Sequence, residues 1–435
     1  MNARTTALSA LIACRKNGAW SDGIMKQYVQ RDGLDKRDAA LASRLLYGVL
    51  QNRMLLDHWI SQKLNGKLSN LQPVVLDILR LAVYQLFCMD KIPPSAAVNE
   101  AVEQTKKYAN RNASGLVNGV LRSMVRDPDS MTLPEDPALR YSHPRELVEL
   151  LRTSMDEESL LGMLAADNEA PRTALQVNSL LASSPEIYQT LTENGVDAAP
   201  HPWLEGCFLT SGTGNLERLA CFQDGKVYVQ DAASRCCVLA SGIEPGMKVL
   251  DCCAAPGGKS FAAAMQMRDT GILYSRDIHP HKVSLLEKGA QRLGIHIITT
   301  SCHDASVPDE QLAGQMDAVI CDVPCSGLGI IRKKPDIRYK ELLPMEQLPA
   351  IQMRILSAAS QSVRPGGILM YSTCTVLKRE NEQVVDAFLE AHPDFYPEAF
   401  RISAPLECQR PGMLTFLPGK WESDGFFICK MRRRS

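Results

Sequence analysis

Over the first 130 residues the apolar positions recur at helical spacing. Val75, Leu79, Ala82 and Leu86 stand at i, i+4, i+7 and i+11, one stripe of an amphipathic helix. Leu41, Leu45 and Val49, widened by Leu46 and Leu50, form a second stripe after the charged Asp35–Asp38 segment. Ile92-Pro93-Pro94-Ser95 breaks the pattern, and Ser95 is placed to cap a helix over Ala96 to Tyr108. A last helix over Gly115 to Val125 is expected before the turn-forming Asp127-Pro128-Asp129. The pattern predicts an all-α bundle over residues 1–130 with its basic residues on the outer faces.

The next hundred residues, 131–230, mix periods. Pro144 to Leu164 reads as one acidic helix, Thr173 to Val177 as a strand and Pro185 to Asn194 as a helix, with β-like pieces ending at Lys226-Val227-Tyr228-Val229. This predicts a linker helix followed by a small α+β module. From residue 231 to 435 short apolar runs alternate with helical stretches. Strands are expected over Lys248–Cys252, Gly271–Asp277, His296–Thr299, Met316–Asp322 and Gly367–Ser372. Helices are expected over Ser260–Gln266, Pro280–Leu293 and Glu346–Val363. Alternation of this kind predicts a parallel, doubly wound α/β sheet with ligands at the carboxyl ends of its strands.

Composition narrows the class. Hydrophobic content of 45% and charged content of 22% are those of a globular chain. No run of about 18 apolar residues occurs, so no membrane span is expected, and residues 1–11 lack the pattern of a secretory signal. The 14 cysteines are irregularly spaced and include the adjacent pairs Cys236–Cys237 and Cys252–Cys253, which suits reduced thiols in a cytoplasmic protein. No paired Cys-x-x-Cys occurs, and no metal is expected. The net charge of −1 conceals an asymmetry: residues 1–130 carry +7, residues 131–230 carry −9 and the remainder +1. A basic module, able to face a polyanion, is joined to an acidic one.

Cys253-Ala254-Ala255-Pro256-Gly257-Gly258-Lys259-Ser260 follows the first strand of the α/β region and opens a helix. It is no Walker A loop, because Cys253 stands where that motif needs its first glycine, and the dinucleotide Gly-x-Gly-x-x-Gly spacing also fails. What remains is a loop of small residues over a helix N-terminus, where backbone can approach a ligand closely. Carboxylates stand at or just after the ends of four successive strands: Asp251, Asp277, Asp304 and Asp322. Asp277 is placed to accept both hydroxyls of a ribose and Asp304 to reach an adenine amino group. Such a crevice suits an adenosyl ligand without phosphates, and S-adenosylmethionine (SAM) better than a nucleotide.

Two thiols lie at neighbouring strand ends, Cys325 in Asp322-Val323-Pro324-Cys325-Ser326-Gly327 and Cys374 in Ser372-Thr373-Cys374-Thr375. Methylation of a pyrimidine at C5 needs a thiol there. That carbon attacks a methyl sulfonium only after a thiolate adds to C6, and β-elimination later frees the enzyme. Asp322 is placed to stabilise charge at N3, and Lys259 to help keep a thiol partly deprotonated. Spacing alone does not say which thiol attacks.

These motifs, Cys-Ala-Ala-Pro-Gly-Gly-Lys, Asp-Val-Pro-Cys-Ser-Gly and Ser-Thr-Cys-Thr, with the closing Asp424-Gly425-Phe426-Phe427, resemble those of the bacterial Fmu/Sun family of RNA cytosine-C5 methyltransferases. The resemblance covers nearly the whole chain. It implies a multidomain protein: an all-α NusB-like RNA-binding bundle, a small α+β middle module and an α/β Rossmann-like SAM-dependent methyltransferase domain. It implies a specific cytidine of small-subunit (16S) rRNA as target, Cys374 as nucleophile and Cys325 in product release. SAM contacts are implied at Cys253, Ala254, Ala255, Pro256, Gly257, Gly258 and Lys259, and at Asp277, Asp304 and Asp322. Cys302-His303-Asp304-Ala305 departs from relatives that carry glycine before the aspartate. Arg332, Lys333 and Lys334 are expected to meet RNA phosphates beside the active site, whereas Arg432 to Arg434 read as a solvated end. The protein is expected to act as a monomer. A non-enzymatic RNA-binding or antitermination factor, relying on the helical region alone, and a P-loop ATPase are the competing readings.

Overall fold

The structure, a computed structural model, describes residues 2–17, 20–211, 216–403 and 405–435. It divides into two compact units. The expected parts at 1–130, 131–230 and 231–435 are divisions of sequence; the units cross them. One unit comprises Met1–Leu150, Leu164–Glu169 and Lys333–Lys340, the other Leu151–Met163, Ala170–Arg332 and Glu341–Ser435.

The first unit is helical. Its elements are α1 (Ala3–Asn17), α2 (Ser21–Arg31), α3 (Lys36–Lys63), α4 (Pro73–Cys88), α5 (Pro94–Tyr108), α6 (Arg111–Arg126) and the short α7 (Pro137–Arg140). Asp35 and Asn110 cap α3 and α6 by accepting the backbone N–H groups of Asp38 and Ala113, each at 2.8 Å. Helix α5 starts earlier than Ser95 suggested. Pro94 occupies its first turn and Pro93 the cap, since a proline there forfeits no helical hydrogen bond. The two predicted stripes meet in one core, with Leu45, Leu46, Leu56, Ile60, Ile78 and Leu79 fully buried. Gly48 lets α3 approach α4 closely, because a Cβ there would lie 2.0 Å from the Tyr84 ring.

Segment 333–340, far along the chain, belongs to this unit. Its Arg338 is 1% exposed. Nη1 donates to the carbonyl of Gln51 at 2.6 Å and to Asn168 Oδ1 at 2.9 Å, and Nη2 donates to the Asp167 carbonyl at 3.1 Å. Tyr339 donates to the Leu50 carbonyl, and the Arg53 guanidinium lies over its ring.

The expected helix over Pro144 to Leu164 is two, α8 (Arg145–Arg152) and α9 (Glu157–Ala166). Asp156 interrupts it, accepting the Ser159 N–H at 2.8 Å to start the second. In the second unit, β1 (Thr173–Val177), α10 (Ser184–Glu193), β2 (Asp197–Pro200), β3 (Cys207–Ser211), α11 (Ala220–Gln223) and β4 (Val227–Val229) form an antiparallel sheet ordered β2-β3-β1-β4 with its helices. Then come α12 (Ala232–Ser241), β5 (Lys248–Asp251), α13 (Gly258–Gln266), β6 (Ile272–Asp277), α14 (Pro280–Arg292), β7 (Ile298–Cys302) and β8 (Met316–Asp322). The chain ends with α15 (Leu348–Ser360), β9 (Val363–Thr373), α16 (Glu382–Ala391), β10 (Phe395–Pro397), β11 (Met413–Phe416) and β12 (Phe426–Arg433).

The large sheet runs β10-β12-β9-β8-β5-β6-β7, with β11 also on β12. Strands β5 to β9 are parallel, but β10, β11 and β12 are antiparallel, so the sheet is mixed rather than wholly parallel. Phe426 to Met431 are all buried, an apolar run interrupted only by the ion-paired Lys430 and characteristic of a strand covered on both faces. The basic tail is therefore no solvated end. Arg432 and Lys430 pair with Glu398, and Arg433 with Asp394 at 3.0 Å, riveting β12 to its neighbours. The order in which strands are added reverses at β5, with β6 and β7 on one side and β8 and β9 on the other, and this is where such sheets bind ligands.

Candidate active site

The loop after β5 is built from the expected residues. The Ala255–Pro256 bond is cis, the Ala254 N–H donates to the Arg276 carbonyl at 2.7 Å, and the Gly257 N–H returns to Ala254 at 2.7 Å. Gly257 has φ 114° and a Cβ there would lie 2.3 Å from the Phe261 ring, so glycine is required twice over. Helix α13 starts at Gly258 and presents its N-terminus to this loop. Cys253, Ala255 and Gly258 are half-buried, Pro256 is exposed, and Ala254 and Gly257 are buried.

Lys259 is 6% exposed and turned into the protein. Its ammonium lies 2.7 Å from Asp322 Oδ2, donates to Ser234 Oγ at 2.9 Å and sits 4.7 Å from the centre of the Phe426 ring. Burial opposes its charge, but Asp322 outweighs burial and holds the ammonium above its ordinary range. The other oxygen of Asp322 accepts the Ser372 hydroxyl at 2.8 Å. Lysine and carboxylate thus act as a neutral pair, with the Asp322 side chain one-third open to solvent.

Asp277, at the end of β6, is 6% exposed and accepts the His279 N–H at 3.0 Å. Asp304, beyond β7, is exposed, and its Oδ1 accepts both N–H and hydroxyl of Ser306, which keep the carboxyl low. Asp251 is fully buried. Ser260 donates to it at 2.7 Å and Ser275 in turn to Ser260, yet its Oδ1 has no hydrogen-bond partner among the described residues. Burial pushes its carboxyl up to about 7.

The two thiols meet. Cys325 Sγ and Cys374 Sγ are 3.0 Å apart, and the Cys374 N–H donates to Cys325 Sγ at 3.3 Å. Both residues are partly open to solvent. The contact with Cys374, then burial, then the Glu380 charge push the Cys325 thiol well above its ordinary range. Around them lies a scaffold that strand-end reasoning missed. Glu380 and Asn381, both fully buried, follow Cys374 by six and seven residues. Glu380 Oε2 accepts the Ser326 N–H and the Gln352 amide, each at 2.9 Å, and that amide also donates to the Pro324 carbonyl at 3.0 Å. Asn381 accepts the Thr373 hydroxyl at 2.6 Å and donates to the Thr375 carbonyl at 3.0 Å. No strand end or local spacing marks these two residues in the sequence.

Arg332 was expected at phosphates. It is 9% exposed instead and turned to the Ser423 carbonyl and Asp424, at 3.4 and 3.7 Å. Lys333 and Lys334 open the segment that belongs to the helical unit. Among the described residues no group of three or more His, Cys, Asp or Glu could hold a metal, and no helix is long and apolar enough to cross a membrane.

Family models match the chain in three stretches: the NusB family over residues 1–126, the ferredoxin-like domain of RsmF/B-like methyltransferases over 143–215, and the 16S rRNA methyltransferase RsmB/F over 239–432. A probable ribosomal RNA small subunit methyltransferase B of Bacillus subtilis is 36% identical, covering 99% of this chain and 98% of its own. The Synechocystis counterpart is 31% identical over the full length of both. Among solved structures, PH0851 superposes with a TM-score of 0.80 at 22% identity, covering 99% of this chain and 98% of its own. NSun6 from Pyrococcus horikoshii, solved with SFG, gives 0.59 at 19%, covering 67% of this chain and 98% of its own; these two likenesses are of fold alone. With three matched domains in order and relatives alike from end to end, the chain belongs to the ribosomal RNA small subunit methyltransferase B family of 16S rRNA methyltransferases.

Proposed function

We propose that this protein methylates C5 of a specific cytidine in 16S rRNA, using SAM, through a covalent adduct between Cys374 and C6 of the base. The observation that carries the reading is the pair of thiols in contact at the carboxyl edge of the sheet, beside the Lys259–Asp322 pair. An enzyme methylating an exocyclic amine has no use for two apposed thiols.

The residues present fit SAM. Carboxylates line the strand ends, a buried carboxylate oxygen of Asp251 lacks a partner among the described residues, and the glycine loop admits close approach. Bound there, SAM would supply an electrophilic methyl group. Asp277 and Asp304 would hold its hydroxyls and base, and the loop from Cys253 to Lys259 its remaining polar groups.

The chain's own chemistry follows. Cys374 adds as thiolate to C6, forming a C–S bond and moving the ring's electron pair toward C5, while the Lys259–Asp322 pair stabilises the charge that reaches N3. After C5 carries the methyl, water takes the proton left on C5, the electron pair re-forms the C5–C6 double bond, and β-elimination breaks the C–S bond and returns the thiolate. Cys325, touching the leaving sulfur, assists release.

Cys374→Ala is expected to abolish methyl transfer to 16S rRNA, while Cys325→Ala is expected to accumulate a protein–RNA adduct resistant to denaturing electrophoresis. Wild-type turnover by Cys374→Ala would sink the assignment. A factor acting through its helical domain alone would bind RNA without SAM, and calorimetric titration with SAM separates that reading from this one.

A further inference from the structure

We propose that Glu380 is a positioning residue that holds Cys325 as the protonated member of the thiol pair, so that Cys374 is the sulfur that gives up its proton. The argument starts from anchoring. Glu380 and Gln352 fix both peptide groups flanking Cys325, and Asn381 fixes both residues flanking Cys374. The Ser326 hydroxyl donates to Thr375 Oγ1 at 2.8 Å and ties the two turns together. Glu380 is itself held, its carbonyl accepting the Tyr371 hydroxyl at 2.5 Å and its N–H donating to Leu377 at 3.0 Å.

Anchoring alone would be served by a glutamine. A fully buried carboxylate whose Oε1 has no partner among the described residues is costly to keep, and a neutral amide would accept the same two N–H groups. What the carboxylate adds is negative charge. Titratable groups that act on Cys325 include Cys374 in contact, Glu380 across the anchored turn, and Tyr371 on β9, whose phenol burial keeps protonated. The charge of Glu380 raises the Cys325 thiol, so Glu380 disfavours a thiolate at Cys325. A protonated Cys325 then donates its S–H to Cys374 across 3.0 Å, and a hydrogen bond to a thiolate stabilises it. The proton leaving Cys374 goes to solvent.

The catalytic meaning of this arrangement rests on the function proposed above, but its test needs neither RNA nor cofactor. Iodoacetamide alkylates a thiolate, forming an S–C bond and releasing iodide, and peptide mass spectrometry reads each cysteine of the full chain separately. Between pH 6 and 10 the wild type is expected to label Cys374 at least tenfold faster than Cys325. In E380Q the Cys325 curve is expected to move to lower pH and the preference to collapse, whereas E380D, which restores the charge, recovers it. Wild-type order and wild-type curves in E380Q overturn the proposal. If E380Q loses the wild-type thermal transition, C374S decides. With Glu380 in place its Cys325 should label slowly up to pH 9, and rapid labelling at pH 8 overturns the proposal. Activity in Cys374→Ala would instead refute the proposed reaction and leave the labelling result standing.

Discussion

Asp251 is held away from water at the end of β5, with two serine hydroxyls in relay on one oxygen and no hydrogen-bond partner for the other among the described residues. Its proton is bound more tightly in the folded chain, near 7, than at the ordinary 3.8 of an unfolded one. The stability this brings is whole below about pH 4 and is withdrawn as pH rises through 7, each tenfold in proton affinity costing about 1.4 kcal/mol. Glu398 works in the opposite sense. The hydrogen bond from Arg432 first, with Lys430 adding to it, brings its carboxyl down to about 2, so its contribution holds above pH 4.5 and is lost only as pH falls through 2. Of these two, Asp251 is the one that titrates between pH 5 and 8. Without cofactor, the wild type should lose more melting temperature over that range than Asp251→Asn; parallel curves would show that the carboxyl titrates normally. The apposition of Cys325 and Cys374 was legible because a strand's carboxyl end is a place, and two strands in sequence share an edge. Glu380 was not, because its partners Ser326 and Gln352 come from two distant segments that no local period connects.

The elements were read best where one physical rule acted alone. Strands β1 and β8 fall on the predicted residues because each is a short, mostly apolar run, broken inside only by Gln176 or Asp317, and too short for a helical period to compete. Strand β7 begins two residues later than expected because His296 is drawn into a contact with Asp269 at 2.8 Å, and the predicted last helix ends early because Val363 already pairs in β9. Strand β12 was marked only at its start, where Asp424-Gly425-Phe426-Phe427 resembles the family's last hairpin, since its closing arginines masked how far the buried run extends. One loop-to-loop contact matters for the site. The Gly425 N–H donates to the Gly329 carbonyl at 2.8 Å, and the Gly329 N–H to the Cys374 carbonyl at 3.0 Å, so the start of β12 is linked by hydrogen bonds to the proposed nucleophile. A Cβ on Gly425 would lie 2.7 Å from the Gly329 Cα, backbone that cannot swing aside. Gly425→Ala should cost about 2 kcal/mol in denaturant unfolding and slow single-turnover methylation; unchanged midpoint and rate would show that the contact is slack.

At the scale of the molecule, charge by segment anticipated a basic helical part, but nothing in periodicity could anticipate that this unit borrows residues 333–340. Arg338 is the reason that loan is fixed. Its guanidinium is buried against backbone carbonyls of residues 51, 142 and 167 and the side chain of Asn168. Burial draws its charge below the usual guanidinium range, so the hydrogen bonds must carry the cost of desolvation. Arg338→Ala strands those carbonyls in the interior and should remove on the order of 3 kcal/mol from the helical unit, read by hydrogen exchange in α3. Unaltered protection there would show that water replaces the guanidinium freely.

The borrowed segment also sets an order in time. A ribosome delivers α1 to α6 first, yet the side chain that satisfies the carbonyls of Gln51 and Ser142 is not polymerised until residue 338. The part of the protein born first is thus completed late, after β5 to β8 have emerged. Nascent chains halted before residue 333 should yield to protease near Gln51, and chains halted past α15 should resist it; equal resistance in both would mean the bundle closes without its late-arriving arginine.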